Sequence, residues 1–248
     1  MVPVIQTDNL GIEFYRSRRR RLSLREMIFR QQTTHSPETF WALRDVSISV
    51  GQGEAVGLIG ANGCGKSTLL KMIAGVLIPD EGSVQVNGGV APLIELTGGF
   101  IGELSARENI YLTAGLHGLS REQVDDRFDD IVEFAGPQVR AALETPFRHF
   151  SSGMQVRLGF SVITSLDEPI LLVDEVLAVG DKAFKNKCYA RMENLLAQGR
   201  TLFLVSHSQK DLTRFCTRGL YLKSGRLVGD GSIHDVLEEY SVEVEAQS

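Results

Sequence analysis

Gly60-Ala61-Asn62-Gly63-Cys64-Gly65-Lys66-Ser67 separates two glycines by four residues and follows the second with a lysine and a hydroxyl. Glycines let backbone amides turn inward around an anion, a lysine neutralises phosphate charge, and a serine hydroxyl can ligate Mg²⁺. Gly60, Asn62, Gly63, Cys64, Gly65, Lys66, Ser67 and Thr68 are therefore expected to cradle a nucleotide's phosphates. A second chemical unit is Ile170-Leu171-Leu172-Val173-Asp174-Glu175, an apolar run that ends in two carboxylates. Neighbouring side chains on extended backbone point in opposite directions, so Asp174 can serve the metal while Glu175 faces an attacking water as general base. A third is His207, just beyond the apolar run Thr201 to Val205.

These residues need elements to hold them. Ala55 to Ile59 reads as a strand feeding the glycine loop, and Thr68 to Ala74 as the helix leaving it, so the anion meets a positive helix N-terminus. Ile170 to Val173 and Thr201 to Val205 read as further strands, and their alternation with helical segments predicts an α/β fold. The middle of the chain differs. Ser105 to Gly118 and Ser120 to Ala135 read as helices, the second opened by a capping box of Ser120 and Gln123, so a helical subdomain is inserted in the core. Near the end, Arg218 to Leu222 and Arg226 to Val228 flank Lys223-Ser224-Gly225 as a hairpin, and Ser232 with Asp235 caps a last helix reaching Tyr240. The division expected is one domain over 1–248: a core of 1–94 and 166–241, a helical subdomain of 95–165, a basic insertion of 15–39, and a frayed tail of 242–248.

Composition narrows the classes. A chain of 248 residues, 43% hydrophobic and 23% charged, can bury a substantial core. No stretch has the roughly 18 consecutive apolar residues of a membrane span, and no signal-peptide pattern opens the chain. Three scattered cysteines, Cys64, Cys188 and Cys216, form neither a disulfide framework nor a metal cluster. The net charge of −5 argues against nucleic acid as a partner.

Between the two phosphate-and-metal units lies Phe150-Ser151-Ser152-Gly153-Met154-Gln155-Val156-Arg157. This resembles the signature of ABC ATPases, usually written LSGGQ, in position as well as in sequence. The resemblance implies a P-loop NTPase core of RecA-like type, with a small antiparallel β subdomain beside the helical one. It also implies that ATP and Mg²⁺ are the cofactors, and that two copies of the chain sandwich the nucleotides. Ser151 and Gly153 would then touch ATP in trans, Asp181 would occupy the D-loop, and His207 would be the switch histidine at the γ-phosphate. Catalysis would fall to Lys66, Glu175 and His207. Pro92 to Phe100 corresponds to the Q-loop but holds no glutamine, which leaves Glu95 beside Ser67 and Asp174 as metal candidates. Tyr15 corresponds to the adenine-stacking aromatic, with Phe40 and Trp41 as alternatives whose expected role is core packing.

Asp174-Glu175-Val176-Leu177-Ala178-Val179-Gly180-Asp181, then Phe184 and Lys187-Cys188, resembles the ABC ATPases that export O-antigen, teichoic acid and related glycans. Arg107-Glu108-Asn109-Ile110 matches the segment that follows their Q-loop. Resemblance thus implies a peripheral subunit on the cytoplasmic face of the membrane, coupled to an integral membrane permease. The chain ends at Ser248, too soon for the carbohydrate-binding domain that some members append. Alternatives are an exporter of a drug or other metabolite, or a soluble non-transport ABC ATPase; no sustained heptads or second ATPase domain favour the latter. The segment from Tyr15 to Thr39 holds Arg16, Arg18, Arg19, Arg20, Arg21, Arg25 and Arg30. Ser23 and Glu26 form a capping box there, predicting a short amphipathic helix from Leu24 to Arg30 that would meet the membrane and a lipid-linked glycan.

Overall fold

The computed structural model describes residues 3–16, 38–94, 96–174 and 181–246. Glu95, Glu175 to Gly180, and the predicted helix from Leu24 to Arg30 lie outside these residues. Nine strands and eight α-helices are described: β1 Ile5–Arg16, β2 Glu38–Val50, β3 Ala55–Ile59, α1 Lys66–Ile73, β4 Glu81–Val86, β5 Val90–Leu93, α2 Ala106–Leu116, α3 Arg121–Ala135, α4 Pro137–Ala141, α5 Ser152–Ile163, β6 Ile170–Asp174, α6 Lys182–Ala197, β7 Thr201–Val205, α7 Gln209–Phe215, β8 Arg218–Lys223, β9 Arg226–Ser232 and α8 Ile233–Ala246.

Six strands form one sheet in the order β5-β6-β7-β3-β8-β9, parallel except for the β8–β9 hairpin. Its central strands are buried on both faces, which explains their unbroken apolar runs. On one face Val56, Leu58, Ile170, Leu172, Phe203 and Val205 pack with α1 and the second sheet. On the other, Ala55, Ile59, Leu171, Val173, Leu202 and Leu204 pack with the later helices. The second sheet, β2-β1-β4, is antiparallel. This is the expected α/β core with a small antiparallel sheet.

Local sequence accounts for the helix boundaries. Capping boxes open both α2, through Ser105 and Glu108, and α3, through Ser120 and Gln123. The β8–β9 turn places Ser224 and Gly225 at φ 47° and 78°, between the paired residues Lys223 and Arg226. Positive φ at both turn residues gives a type I′ turn, whose twist matches the strands.

Two expectations need correction. The last helix does not stop at Tyr240 but runs on to Ala246, so 242–246 is helical. Glu243 anchors it by accepting from the Tyr221 hydroxyl at 2.8 Å and pairing with Lys223 at 2.7 Å. Phe40 is exposed rather than packed in the core, with its ring against Phe14. Tyr15 and Thr39 are a paired cross-strand couple, followed by Arg16 and Glu38, so the expected insertion of 15–39 begins and ends within paired strands.

Candidate functional site

Parallel register levels the ends of three strands. Leu58 of β3 and Asp174 of β6 both align with Val205 of β7. The glycine loop and His207 therefore leave the sheet along one edge, the edge at which Asp174 ends β6. Open α/β sheets bind ligands in the crevice at this carboxyl edge.

Lys66 is buried, and its Nζ donates to the carbonyls of Gly60 at 2.8 Å and Ala61 at 2.9 Å, drawing the ammonium across the loop. Gly65 is the N-cap of α1 at φ 110°, with no side chain capping the helix. A Cβ on Gly65 would lie 2.6 Å from the Ala42 carbonyl oxygen, so that left-handed, crowded position requires glycine. The uncapped amides of the first turn leave the helix N-terminus to an anion. Asn62 and Gly63 form the exposed rim, Thr68 is half-buried, and Cys64 is buried. Burial raises the Cys64 thiol pKa, opposed by the neighbouring Lys66 charge. Ser67 Oγ donates to Asp174 Oδ2 at 2.8 Å, which brings together two of the three expected metal-binding side chains.

The other expected nucleotide contacts lie on different elements. Ser151 is the exposed N-cap of α5: its hydroxyl accepts from Met154 N at 3.3 Å, and its carbonyl from Gln155 N. A Cβ on Gly153 would meet nothing within 4 Å, so this helix start is sterically open. Asp181 caps α6 by accepting from Phe184 N at 2.9 Å and pairs with Arg157 at 2.6 Å. The Phe184 amide, and after it the Arg157 charge, hold the Asp181 carboxyl below the usual carboxylate range. Tyr15 is 68% exposed near the end of β1. Trp41 is half-buried under the Arg44 guanidinium, 4.9 Å from its ring centroid. His207 is exposed beyond β7.

Sequence reasoning missed three positioning contacts. Gly225 N donates to the Cys64 carbonyl at 3.0 Å while its own carbonyl accepts from Arg44 N at 2.8 Å, so the hairpin tip pins the glycine loop to β2. The turn was readable, but its target was not. Asn109, fully buried, accepts from Ile101 N at 2.7 Å and donates to the carbonyls of Ile101, Leu104 and Ser105. It thereby shapes the loop entering α2. Arg157, just past the Ser151-Ser152-Gly153 turn, is the third.

A phosphate-cradling loop between a buried parallel strand and a helix, with a strand-end carboxylate on its serine, defines a P-loop nucleotide-binding protein with an α/β core. Residues 43–178 match the ABC transporter family model. The chain belongs to that family and is one of its ATP-hydrolysing subunits. It is 40% identical over 243 residues to the O-antigen export system ATP-binding protein RfbB of Klebsiella pneumoniae, covering 97% of this chain and 98% of the relative. Against the teichoic acids export ATP-binding protein TagH of Bacillus cereus, identity is 40% over 200 residues, covering 81% of this chain and 36% of that longer relative. Among solved structures, an ATP-binding subunit of an ABC transporter superposes with a TM-score of 0.76 at 24% identity, covering 98% of this chain and 99% of that one. An ATP-binding cassette solved as a dimer with ADP and Pi gives a TM-score of 0.74 at 21% identity, over 92% of this chain and 98% of that one.

Proposed function

We propose that this chain binds ATP with Mg²⁺, hydrolyses it between two copies of itself, and energises export of a lipid-linked glycan through an integral membrane permease. The observation that carries the nucleotide chemistry is the Ser67–Asp174 contact below the Lys66 ammonium. A hydroxyl and a carboxylate at this spacing can share one Mg²⁺, directly or through water, while Lys66 turns a donor to the β- and γ-phosphates. Glu175 is the general base, His207 holds the attacking water at the γ-phosphate, and Glu95 offers a further oxygen to metal or water. Tyr15 stacks on adenine. Ser151 and Gly153 close on the partner's ATP, which accounts for an N-cap that is exposed and unused by its own glycine loop. Asp181 faces that same interface.

The core, the helical subdomain and the basic connection divide this work: nucleotide, partner ATP and membrane. Among the described residues no helix is long and apolar enough to cross a membrane. Peripheral attachment at the cytoplasmic face, through the permease and the arginines of 17–37, follows from the export role. Glycan is the cargo class because the relatives named for O-antigen and teichoic acid export match over most of this chain.

Two measurements test the proposal. Purified chain should show Mg²⁺-dependent ATPase activity that Lys66→Ala abolishes by weakening ATP binding. Disruption of the gene in its host should remove a surface polysaccharide and leave lipid-linked glycan inside the cell. A host that keeps its surface glycan but retains a drug or metabolite would refute glycan export in favour of that other cargo.

A further inference from the structure

Asp211 is 5% exposed, a carboxyl carried into the interior by the short helix α7. Burying such a group costs free energy unless a donor meets it. The donor is Tyr189 of α6, whose hydroxyl reaches Asp211 Oδ1 at 2.5 Å. Burial, and after it the bond to Asp211, raises the Tyr189 pKa, so the hydroxyl keeps the proton it donates. Tyr189 is itself held, edge-on to Phe215 at 5.4 Å and under the Arg214 guanidinium at 4.6 Å from its centroid, while Arg214 pairs with Glu193 of α6 at 2.7 Å. Two helices are thus joined at a buried polar contact. Leu212, next to Asp211, is seated on β3 so closely that a Cβ on Gly57 would lie 2.9 Å from its Cδ2. Along the backbone Asp211 faces the other way. Its amide donates to the Ser208 hydroxyl at 3.2 Å and the Ser208 carbonyl at 3.0 Å, and the Ser208 amide donates to the Ser206 hydroxyl at 3.0 Å. His207 is the residue between those two serines.

We infer that Tyr189 and Asp211 are positioning residues for His207: their bond fixes the first turn of α7, and the Ser206–Ser208 turn bonded to that helix start holds the histidine at its working place. The inference rests on the role proposed for His207 at the γ-phosphate. A group that must hold a water is sensitive to small displacements, and a shift of about 1 Å can cost on the order of 100-fold in rate. The glycine loop takes its support from the β8–β9 turn instead, through Gly225 N and the Cys64 carbonyl. Loss of the Tyr189–Asp211 bond should therefore spare ATP binding and slow turnover.

The test uses the full chain with Tyr189→Phe, Asp211→Ala, Asp211→Asn and His207→Ala. Phenylalanine keeps the ring against Phe215 and Arg214 and removes only the hydroxyl, whereas asparagine keeps an acceptor for that hydroxyl. For each, kcat, KM, fluorescent-ATP affinity and thermal unfolding are measured. NMR of protein labelled at histidine reports on the ring itself: the chain has five histidines, and the His207 resonance is the one that His207→Ala removes. Tyr189→Phe and Asp211→Ala should each lower kcat about tenfold, by the displacement argument above, with ATP affinity within twofold of wild type. Both should shift the His207 resonance and leave the remaining ones in place, and Asp211→Asn should retain most of the activity. Should Asp211→Ala fail to fold, Tyr189→Phe against Asp211→Asn carries the same comparison. A His207 resonance or a kcat unmoved by Tyr189→Phe would overturn the inference, as would ATP affinity that falls together with kcat or a shift shared by all the histidines. Full activity of His207→Ala would instead refute the role given to His207.

Discussion

Replacing Gly159 by alanine sets two effects of known size against each other. Gly159 lies inside α5, where alanine favours the helix by about 1 kcal/mol over glycine. Its added methyl, however, would sit 2.2 Å from the Leu96 carbonyl oxygen and 2.9 Å from the Leu96 carbonyl carbon. Ordinary contact is more than 1 Å longer, and the obstacle is backbone, so the helix or the 96–97 segment must shift. Such overpacking costs about 1–3 kcal/mol, and a backbone obstacle belongs at the upper end. The balance is a loss of about 1–2 kcal/mol, or a Tm lower by roughly 2–8 °C for a chain of this size. Gly115 provides the control. It lies near the end of α2 with nothing within 4 Å of a Cβ, so Gly115→Ala should gain about 0.5 kcal/mol and raise Tm slightly. Scanning calorimetry of both variants decides the matter. A Gly159→Ala protein as stable as wild type would refute the idea that close approach of α5 to Leu96 sets the sign.

Asp174→Asn keeps an acceptor for the Ser67 hydroxyl but loses the charge, so ATP binding in EDTA should hold while half-maximal ATPase needs about tenfold more Mg²⁺; an unchanged Mg²⁺ titration would exclude Asp174 from the metal. Glu175→Gln should bind ATP normally and accumulate as an ATP-bound dimer on gel filtration, and ordinary turnover would remove its role as base. In mixed dimers, Ser151→Arg in one copy should silence the nucleotide bound by the other copy's glycine loop; loss confined to its own loop would disprove composite sites. Asn109→Ala should cost about 1–3 kcal/mol in denaturant unfolding, because the Ile101 amide loses its acceptor, while the carbonyls of Ile101, Leu104 and Ser105 keep their backbone donors.

Much of this architecture was legible because the responsible signals are local. The glycine loop, the doubly buried strands and the capping box at Ser120 depend on residues within one or two turns of each other. β5 was not recognised, since Pro92 suggests a loop; as an edge strand it pairs on only one side, where a missing N–H is tolerated. The end of α8 was misread because Ser241 to Ser248 looks like a polar tail. What holds it is tertiary, the reach of Tyr221 and Lys223 to Glu243. Arg157 and Asp181 were both noted in sequence, but 24 positions separate them and nothing local joins the two. The same holds for Gly225 and Cys64, which meet only after the sheet has formed.

The β8–β9 turn has little freedom, for a reason that lies outside the turn. Ser224 and Gly225 take positive φ, and Gly225 N props the nucleotide loop through the Cys64 carbonyl. A residue added to that turn, or one that resists positive φ there, would move the glycine loop without changing any residue of it. The hairpin is thus a strut of the nucleotide site, and a change in its length should be felt as weaker ATP binding.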